Sequence, residues 1–322
     1  MAVLGAISVV ISCILIYFIA RKTPLASRQY RLGLIVLQMC FLIFDVHWCF
    51  LFVPLLSLPY FGIYCTGLLC TTVKVDVHAH MTLMLFVTIE TFVWFFVCMM
   101  QRHQAVVPLA SNLRCSTMTL NRIIYVLSTL IAAAGPIGFS TCRLTAKEIE
   151  WTLEMYLMRW LESKPQYLVY SIPLRPQTQI YVGIFLITMV FFSIACISLM
   201  VHTMHVVRRS MLNSGKSKDI KNAAMRNLFI QFAVFACSLL FPGFLLVFNV
   251  WVPFDVEIFV LCQVLFAAHS LASSLVALLI NSNYRRYLQC WKKSKATTTV
   301  VVSSRKTTAT VLTVNGLSKA ID

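Results

Sequence analysis

Seven runs of mostly apolar residues alternate with short polar segments along the chain. They lie near 2–20, 32–56, 72–100, 123–141, 179–201, 227–251 and 259–280. A helix needs about 20 such residues to cross the hydrocarbon core of a bilayer. Each run therefore predicts a membrane span. The run at 72–100 is the least regular, because Lys74, Asp76, His78 and His80 crowd its start. Its remainder, 81–100, holds a single charge, Glu90. The pattern predicts an all-α membrane protein, a bundle of seven transmembrane helices over residues 1–291. Tyr284 to Trp291 adds a short membrane-lying helix, and 292–322 is a disordered tail rich in Thr, Ser and Lys. No repeat pairs one half of the chain with the other.

Composition sharpens this picture. Of 322 residues, 59% are hydrophobic and 12% charged, against about 45–50% and about 25% in a soluble domain. A soluble globular enzyme is excluded. The net charge is +16, from 27 Lys and Arg against 11 Asp and Glu. Taken alone, that charge points to nucleic acid. Its distribution does not. Segments 21–31, 101–122, 202–226 and 281–322 carry four, three, six and eight cations, and all four lie on one side of a seven-span plan. The opposite segments 57–71 and 252–258 carry none, and Asp255 and Glu257 lie there. Basic loops face the cytoplasm, so the N-terminus is expected outside and the C-terminus inside. The first run lacks a basic leader, and Arg21 and Lys22 follow it directly. It reads as a retained span rather than a signal peptide. The charge is a topology label and implies no nucleic acid.

Subtracting that label isolates two acids inside spans, Asp45 and Glu90. An ionised side chain at such depth is costly unless paired or hydrated. His269 falls at similar depth, so the expected polar network pairs Asp45 or Glu90 with His269 or holds a water or cation. A satisfied packing cluster is the alternative. Glu90→Gln is expected to alter ligand response or basal signalling. Lys74–His78 and Asp76–His80 read as helical neighbours four apart, forming a polar mouth or a solvated turn. His78 and His80 diverge by about 200° on a helix, and no zinc-type ligand spacing occurs, so neither a metal nor a cofactor is expected. Cys65, Cys70 and Cys142 are the cysteines expected near the outer face. Either a bridge from Cys65 or Cys70 to Cys142 or three reduced thiols suits the sequence. Segment 142–178 opens with a capping box, Thr145-x-x-Glu148. Ile149, Leu153, Tyr156, Leu157, Trp160 and Leu161 then share one helical face up to Pro165, as a lid or a membrane-lying helix. Pro242 is expected to kink the sixth span as a hinge. Cys290 is a candidate for palmitoylation. No nucleophile elbow, phosphate loop or HExxH motif is present, so no enzyme is expected.

Several ordered motifs accompany the seven spans. Arg21-Lys22-Thr23-Pro24 follows the first and Asp45 lies in the second. Pro54, Pro59, Cys65 and Gly67 mark the second span's outer end. Arg102-His103-Gln104 closes the third, Gln231 and Pro242 lie in the sixth, and Asn281-Ser282-Asn283-Tyr284-Arg285 closes the seventh. Together they resemble the nematode serpentine chemoreceptors, the Srh/Sri group of the Str superfamily of G-protein-coupled receptors. Gln101-Arg102-His103 replaces the acid-Arg-aromatic triplet of rhodopsin-like receptors, and the seventh span lacks Asn-Pro-x-x-Tyr. The resemblance implies a plasma-membrane receptor of sensory-neuron cilia. Its ligand is a small odorant or soluble chemical held in the outer half of the bundle, with Asp45, Glu90, His269, His78 and His80 as candidate polar contacts. It also implies docking of a heterotrimeric G protein on Arg102, His103, Arg208, Arg209, Lys221 and Arg226. A ligand-gated channel or cation-coupled transporter is the alternative, since buried carboxylates suit transport. The rest of the partner set is membrane lipid.

Overall fold

A computed structural model of the chain describes residues 2–22, 28–57, 62–107, 116–164, 166–170, 176–211, 229–248, 255–281 and 284–285. The first span is α1 (Ala2–Lys22). The second is α2 (Arg28–Val46), continued by a π-helical turn, His47–Phe52. The third and fourth are α3 (Val77–Val106) and α4 (Thr117–Ser140). A short helix, α5 (Ala146–Met155), precedes the fifth span, α6 (Pro176–Met211). The sixth span, Phe229–Leu246, contains a π-helical turn at Ala236–Leu240 followed by α7 (Phe241–Phe248). The seventh is α8 (Val256–Ile280). Among the described residues, seven helices are long and apolar enough to cross a membrane. The exposed apolar side chains of α4 and α6, such as Tyr125, Leu130, Ile187 and Phe191, suit lipid contact. The chain divides into two compact units, Met1–Ile280 and Asn281–Asp322. In the second, the Arg285 N–H donates to the Asn281 carbonyl at 3.0 Å.

The expected span ends shift where backbone chemistry intervenes. The second span stops at Phe52 rather than near 56, because a proline at 54 cannot continue a helix without clashing with the preceding turn. Val53 takes the break at φ 44°. The chain then forms β1 (Pro54–Ser57) and β2 (Gly62–Cys65), paired antiparallel with Pro54 opposite Cys65 and Ser57 opposite Gly62. A third strand, β3 (Tyr167–Val169), joins β2 antiparallel, with Gly62 opposite Val169. This small sheet is an addition to the expected helices, built from strands too short to show alternation in the sequence.

The third span begins at Val77 rather than near 72. The Asp76 carboxylate accepts from the His78 backbone N–H at 3.3 Å and caps the helix. Lys74 lies before it at φ 55°. The expected Lys74–His78 and Asp76–His80 helical pairs are therefore corrected, because both first members precede the helix.

The capping box at Thr145 is formed: the Thr145 N–H donates to Glu148 Oε2 at 2.6 Å, and the Glu148 N–H to Thr145 Oγ1 at 3.5 Å. The helix stops at Met155, well short of Pro165, and a 3₁₀ turn follows at Arg159–Ser163. Met158 N–H donates to the Leu153 carbonyl at 2.8 Å, which closes the helix with Leu157 in the left-handed region at φ 54°. Ile149, Leu153 and Leu161 pack with Met158 and Val169 under the sheet. Leu157 and Trp160 are exposed instead of sharing that face. Sheet, α5 and 3₁₀ turn form one lid over the end of α3.

The lid is fastened to α3 by polar contacts. Arg143 pairs with Asp76 at 3.1 Å. The Tyr170 hydroxyl lies 2.9 Å from His78 Nδ1, and the His78 ring stacks on Phe139 at 5.0 Å. Burial pushes the Tyr170 phenol well above its ordinary range, so it stays a neutral hydroxyl at physiological pH. The disulfide joins Cys65 to Cys70, with Cα atoms 6.0 Å apart. Both expected arrangements, a tie to Cys142 and three reduced thiols, are corrected by this pairing, and Cys142 Sγ lies 3.8 Å from the Gly138 carbonyl. The Arg143–Asp76 and His78–Tyr170 contacts supply the link between the third span and the segment after the fourth.

Candidate functional site in the bundle core

Two polar rungs pin the first, second and seventh spans together. Ser8 and Ser12 are one turn apart on α1, Ser270 and Ser274 one turn apart on α8, and Gln38 and Asp45 two turns apart on α2. Residues at these spacings share a helix face. Ser8 Oγ donates to Asp45 Oδ2 at 2.5 Å, and Ser270 Oγ donates to the same oxygen. One rung further, Gln38 Nε2 donates to Ser12 Oγ at 2.9 Å and to Ser274 Oγ at 2.6 Å. All six residues are buried. The serines were missed in the sequence, where their paired four-residue spacing in two apolar runs was the available signal.

Next to the upper rung, toward the lid, lies an aromatic cage between the second and seventh spans. The His269 ring meets Phe44 at 4.7 Å and Phe41 at 5.3 Å, both edge-on. Trp48 stacks on Phe44 at 5.5 Å and meets Phe266 at 5.5 Å. His269 Nδ1 lies 2.6 Å from the Phe266 carbonyl. A carbonyl only accepts, so Nδ1 carries the proton and donates. Nε2 is then a bare acceptor, and it is buried without a hydrogen-bond partner. Asp45 Oδ1 and His80 Nε2 are likewise buried without a hydrogen-bond partner. His80 Nδ1 lies 3.3 Å from His47 Nε2, and Phe52 stacks on the His80 ring at 5.1 Å. A buried polar atom without a partner is uncommon and calls for a reason. Here three of them line the lid-side part of the core.

At the opposite end, α3 is held on two sides. Arg102 Nε donates to the Tyr30 hydroxyl at 2.5 Å, and its guanidinium lies 5.0 Å from the Tyr30 ring centre. His103 Nε2 lies 2.8 Å from His202 Nδ1 on α6. Arg208 and Arg209 close α6 and are exposed. Toward the sixth span, α3 presents rings instead: Phe95 stacks on Phe235 at 4.0 Å, and Phe92 meets Phe235 edge-on at 5.7 Å.

With seven spans, a capped loop after the fourth and a basic end in place, the family comparison is decisive. Residues 1–288 match the family described as serpentine type 7TM GPCR chemoreceptor Sri. The chain belongs to the Sri chemoreceptor family. No curated protein matches it. An Sri chemoreceptor is a multi-pass membrane receptor.

The expected single network in this Sri chain is corrected. Asp45 is bound by two serines, and His269 by the backbone of its own helix, so neither pairs with the other. Glu90 turns toward the fourth span, where Trp94 Nε1 donates to Oε2 at 2.9 Å and Ser128 Oγ at 3.2 Å. His78 faces the lid and His80 the second span, as their angular separation required. A glutamine at 90 retains an oxygen for Trp94 and Ser128. Glu90→Gln is now expected to leave the dose–response curve unchanged at equal surface level, read by cell-surface labelling beside a signalling assay.

Pro242 follows the widened turn. The Phe241 N–H donates to the Ala236 carbonyl, five residues back. Such a turn relieves the clash a proline makes with the carbonyl four residues before it. Among the described residues, no group of three or more His, Cys, Asp or Glu is placed to hold a metal. Lys221, Arg226, Cys290, most of the expected helix 284–291 and the tail 292–322 lie outside the described residues.

Proposed function

We propose that this Sri receptor binds a small, mostly apolar chemical carrying a hydrogen-bond donor in the lid-side half of the bundle, and signals through a heterotrimeric G protein at the basic end. The lid side is then extracellular and the basic end cytoplasmic, at the plasma membrane. The bare His269 Nε2 inside an aromatic cage is the observation that carries this reading. An unpaired acceptor among rings favours a ligand that supplies a donor and buries apolar surface. The receptor then shifts between two helix arrangements by the ligand's differential affinity for them.

The two ends differ in how they are held, and that difference supports a direction of movement. The first, second and seventh spans share buried hydrogen bonds and form the fixed part. The sixth span packs on α3 through rings, which slide more readily than paired polar groups separate. The widened turn before Pro242 is its hinge. Arg102–Tyr30 and His103–His202 hold the resting basic end of α3, and release of one exposes cations for the G-protein α subunit. Tyr30→Phe removes the charge-assisted hydrogen bond to Arg102, worth about 1.5–3 kcal/mol, and leaves the Arg102 cation in place. It is expected to raise ligand-free nucleotide exchange if the contact holds the resting state. Unchanged basal exchange at equal receptor level contradicts that role.

The binding site is tested on cells expressing the receptor, screened with a chemical panel and read through calcium or cyclic nucleotide. His269→Phe keeps a ring in the cage and removes the acceptor. A donor-bearing agonist is expected to lose about tenfold in potency, the equivalent of about 1.4 kcal/mol. Equal potency at equal surface level places the ligand elsewhere.

A further inference from the structure

The helix α5 carries apolar residues on two opposite faces. Ile149 and Leu153 lie on the face that packs under the sheet. Trp151 and Met155, also one turn apart, lie on the other and are 43% and 57% exposed. The chain then turns through Leu157, whose side chain is 87% exposed, and Trp160, which is 46% exposed. The turn closes by the six-to-one hydrogen bond from Met158 to Leu153, the arrangement in which glycine normally takes the left-handed position. Here that position holds Leu157 at φ 54°. A leucine strained into the left-handed region and also left fully outside gains nothing from the lid's own packing. Strain of this kind marks a place where something beyond local stability is served.

The surroundings indicate what meets this face. The lid is tied at both ends to membrane spans: α4 ends at Ser140, five residues before Thr145, and α6 begins at Pro176. Those two spans also expose apolar side chains at the ends joined to the lid, Ile137 near the end of α4 and Ile180 and Ile184 near the start of α6. Around Trp151 and Trp160 stand both signs of charge, with Arg159 paired to Glu154 and Lys164 Nζ 6.0 Å from the Trp160 ring centre. Tryptophan beside mixed charge suits the headgroup layer, where the ring enters the acyl boundary and the charges stay wet. Four such side chains are exposed on α5 and the turns after it, and the Trp160 ring also meets Tyr64 of β2 edge-on at 6.0 Å.

We propose that the outer face of the lid, Trp151, Met155, Leu157 and Trp160, is a lipid-contact surface that seats the lid at the headgroup–acyl boundary beside the fourth and fifth spans. The inference needs only the seven-span plan and is independent of the ligand and the G protein.

The test places a photoreactive amino acid at Leu157 in the full-length receptor, reconstituted in nanodiscs of phosphatidylcholine. The same probe at Trp151 is the second site, and at Ser163, exposed on the same lid, the reference. After illumination, phospholipid adducts at 157 and 151 are expected several-fold above those at 163. Lipid yield equal to the reference overturns the proposal. So does a predominant crosslink to a second receptor copy or to the receptor's own bundle.

Discussion

Asp45→Ala is expected to lower the unfolding temperature of the purified receptor and reduce its surface level. Asp45 Oδ2 accepts from both Ser8 and Ser270. Alanine leaves the Ser8 and Ser270 hydroxyls, 2.8 Å apart at the junction of three spans, with only each other as partners. In water-soluble cores each orphaned group costs about 1–3 kcal/mol. Between membrane helices the measured values are smaller, about 0.6 kcal/mol on average and about 1.7 at most. The two bonds together are therefore worth about 1–3 kcal/mol here. Asp45→Asn keeps one acceptor oxygen and is expected to lose less than half of that. The lower rung gives an internal comparison: Gln38→Ala breaks the bonds to Ser12 and Ser274 and is expected to resemble Asp45→Ala. Thermal unfolding in one detergent, for all three variants, checks the order. If Asp45→Ala unfolds like wild type, the rung holds nothing.

Gly67→Val is expected to be the more damaging change for the lid. A Cβ at position 67 meets the Leu51 carbonyl oxygen at 2.3 Å and carbons of Leu51 and Phe52 at 2.5 Å. These are backbone atoms, so no side-chain rotation relieves the contact. The Gly67 N–H also donates to the Phe52 carbonyl at 3.0 Å, which holds the loop against the end of the second span. Overpacking of this kind costs about 1–3 kcal/mol, sometimes more. The disulfide from Cys65 to Cys70 spans this glycine, so the loop cannot swing away freely. Faster limited proteolysis of the lid, with the seven spans intact, is the expected signature. Wild-type protease resistance rules out the close approach.

Much of this architecture was legible in the chain. Hydrophobic run length located the spans, because membrane crossing imposes a length that little else imitates. The Thr145–Glu148 box located the start of α5, because a cap is a local interaction between residues three apart. What escaped the sequence is non-local. Strands of three and four residues pair across more than a hundred positions of sequence, as Gly62 with Val169 does. The Cys65–Cys70 pairing depends on how the loop after β2 folds back. The rotation of Asp45 toward α1 and α8, and of Glu90 toward α4, is set by how the helices pack. Depth alone grouped Asp45, Glu90 and His269, and depth is only one of three coordinates.

A chemical bound among the lid-side rings is expected to drive G-protein activation at the basic end. The most direct measurement is nucleotide exchange on a purified heterotrimeric G protein by the receptor in nanodiscs, with and without an agonist from the panel. Agonist-dependent exchange that survives Glu90→Gln and shifts to higher concentration with His269→Phe is the predicted result. An agonist-evoked conductance in planar bilayers, with no change in exchange, contradicts the account and identifies a channel.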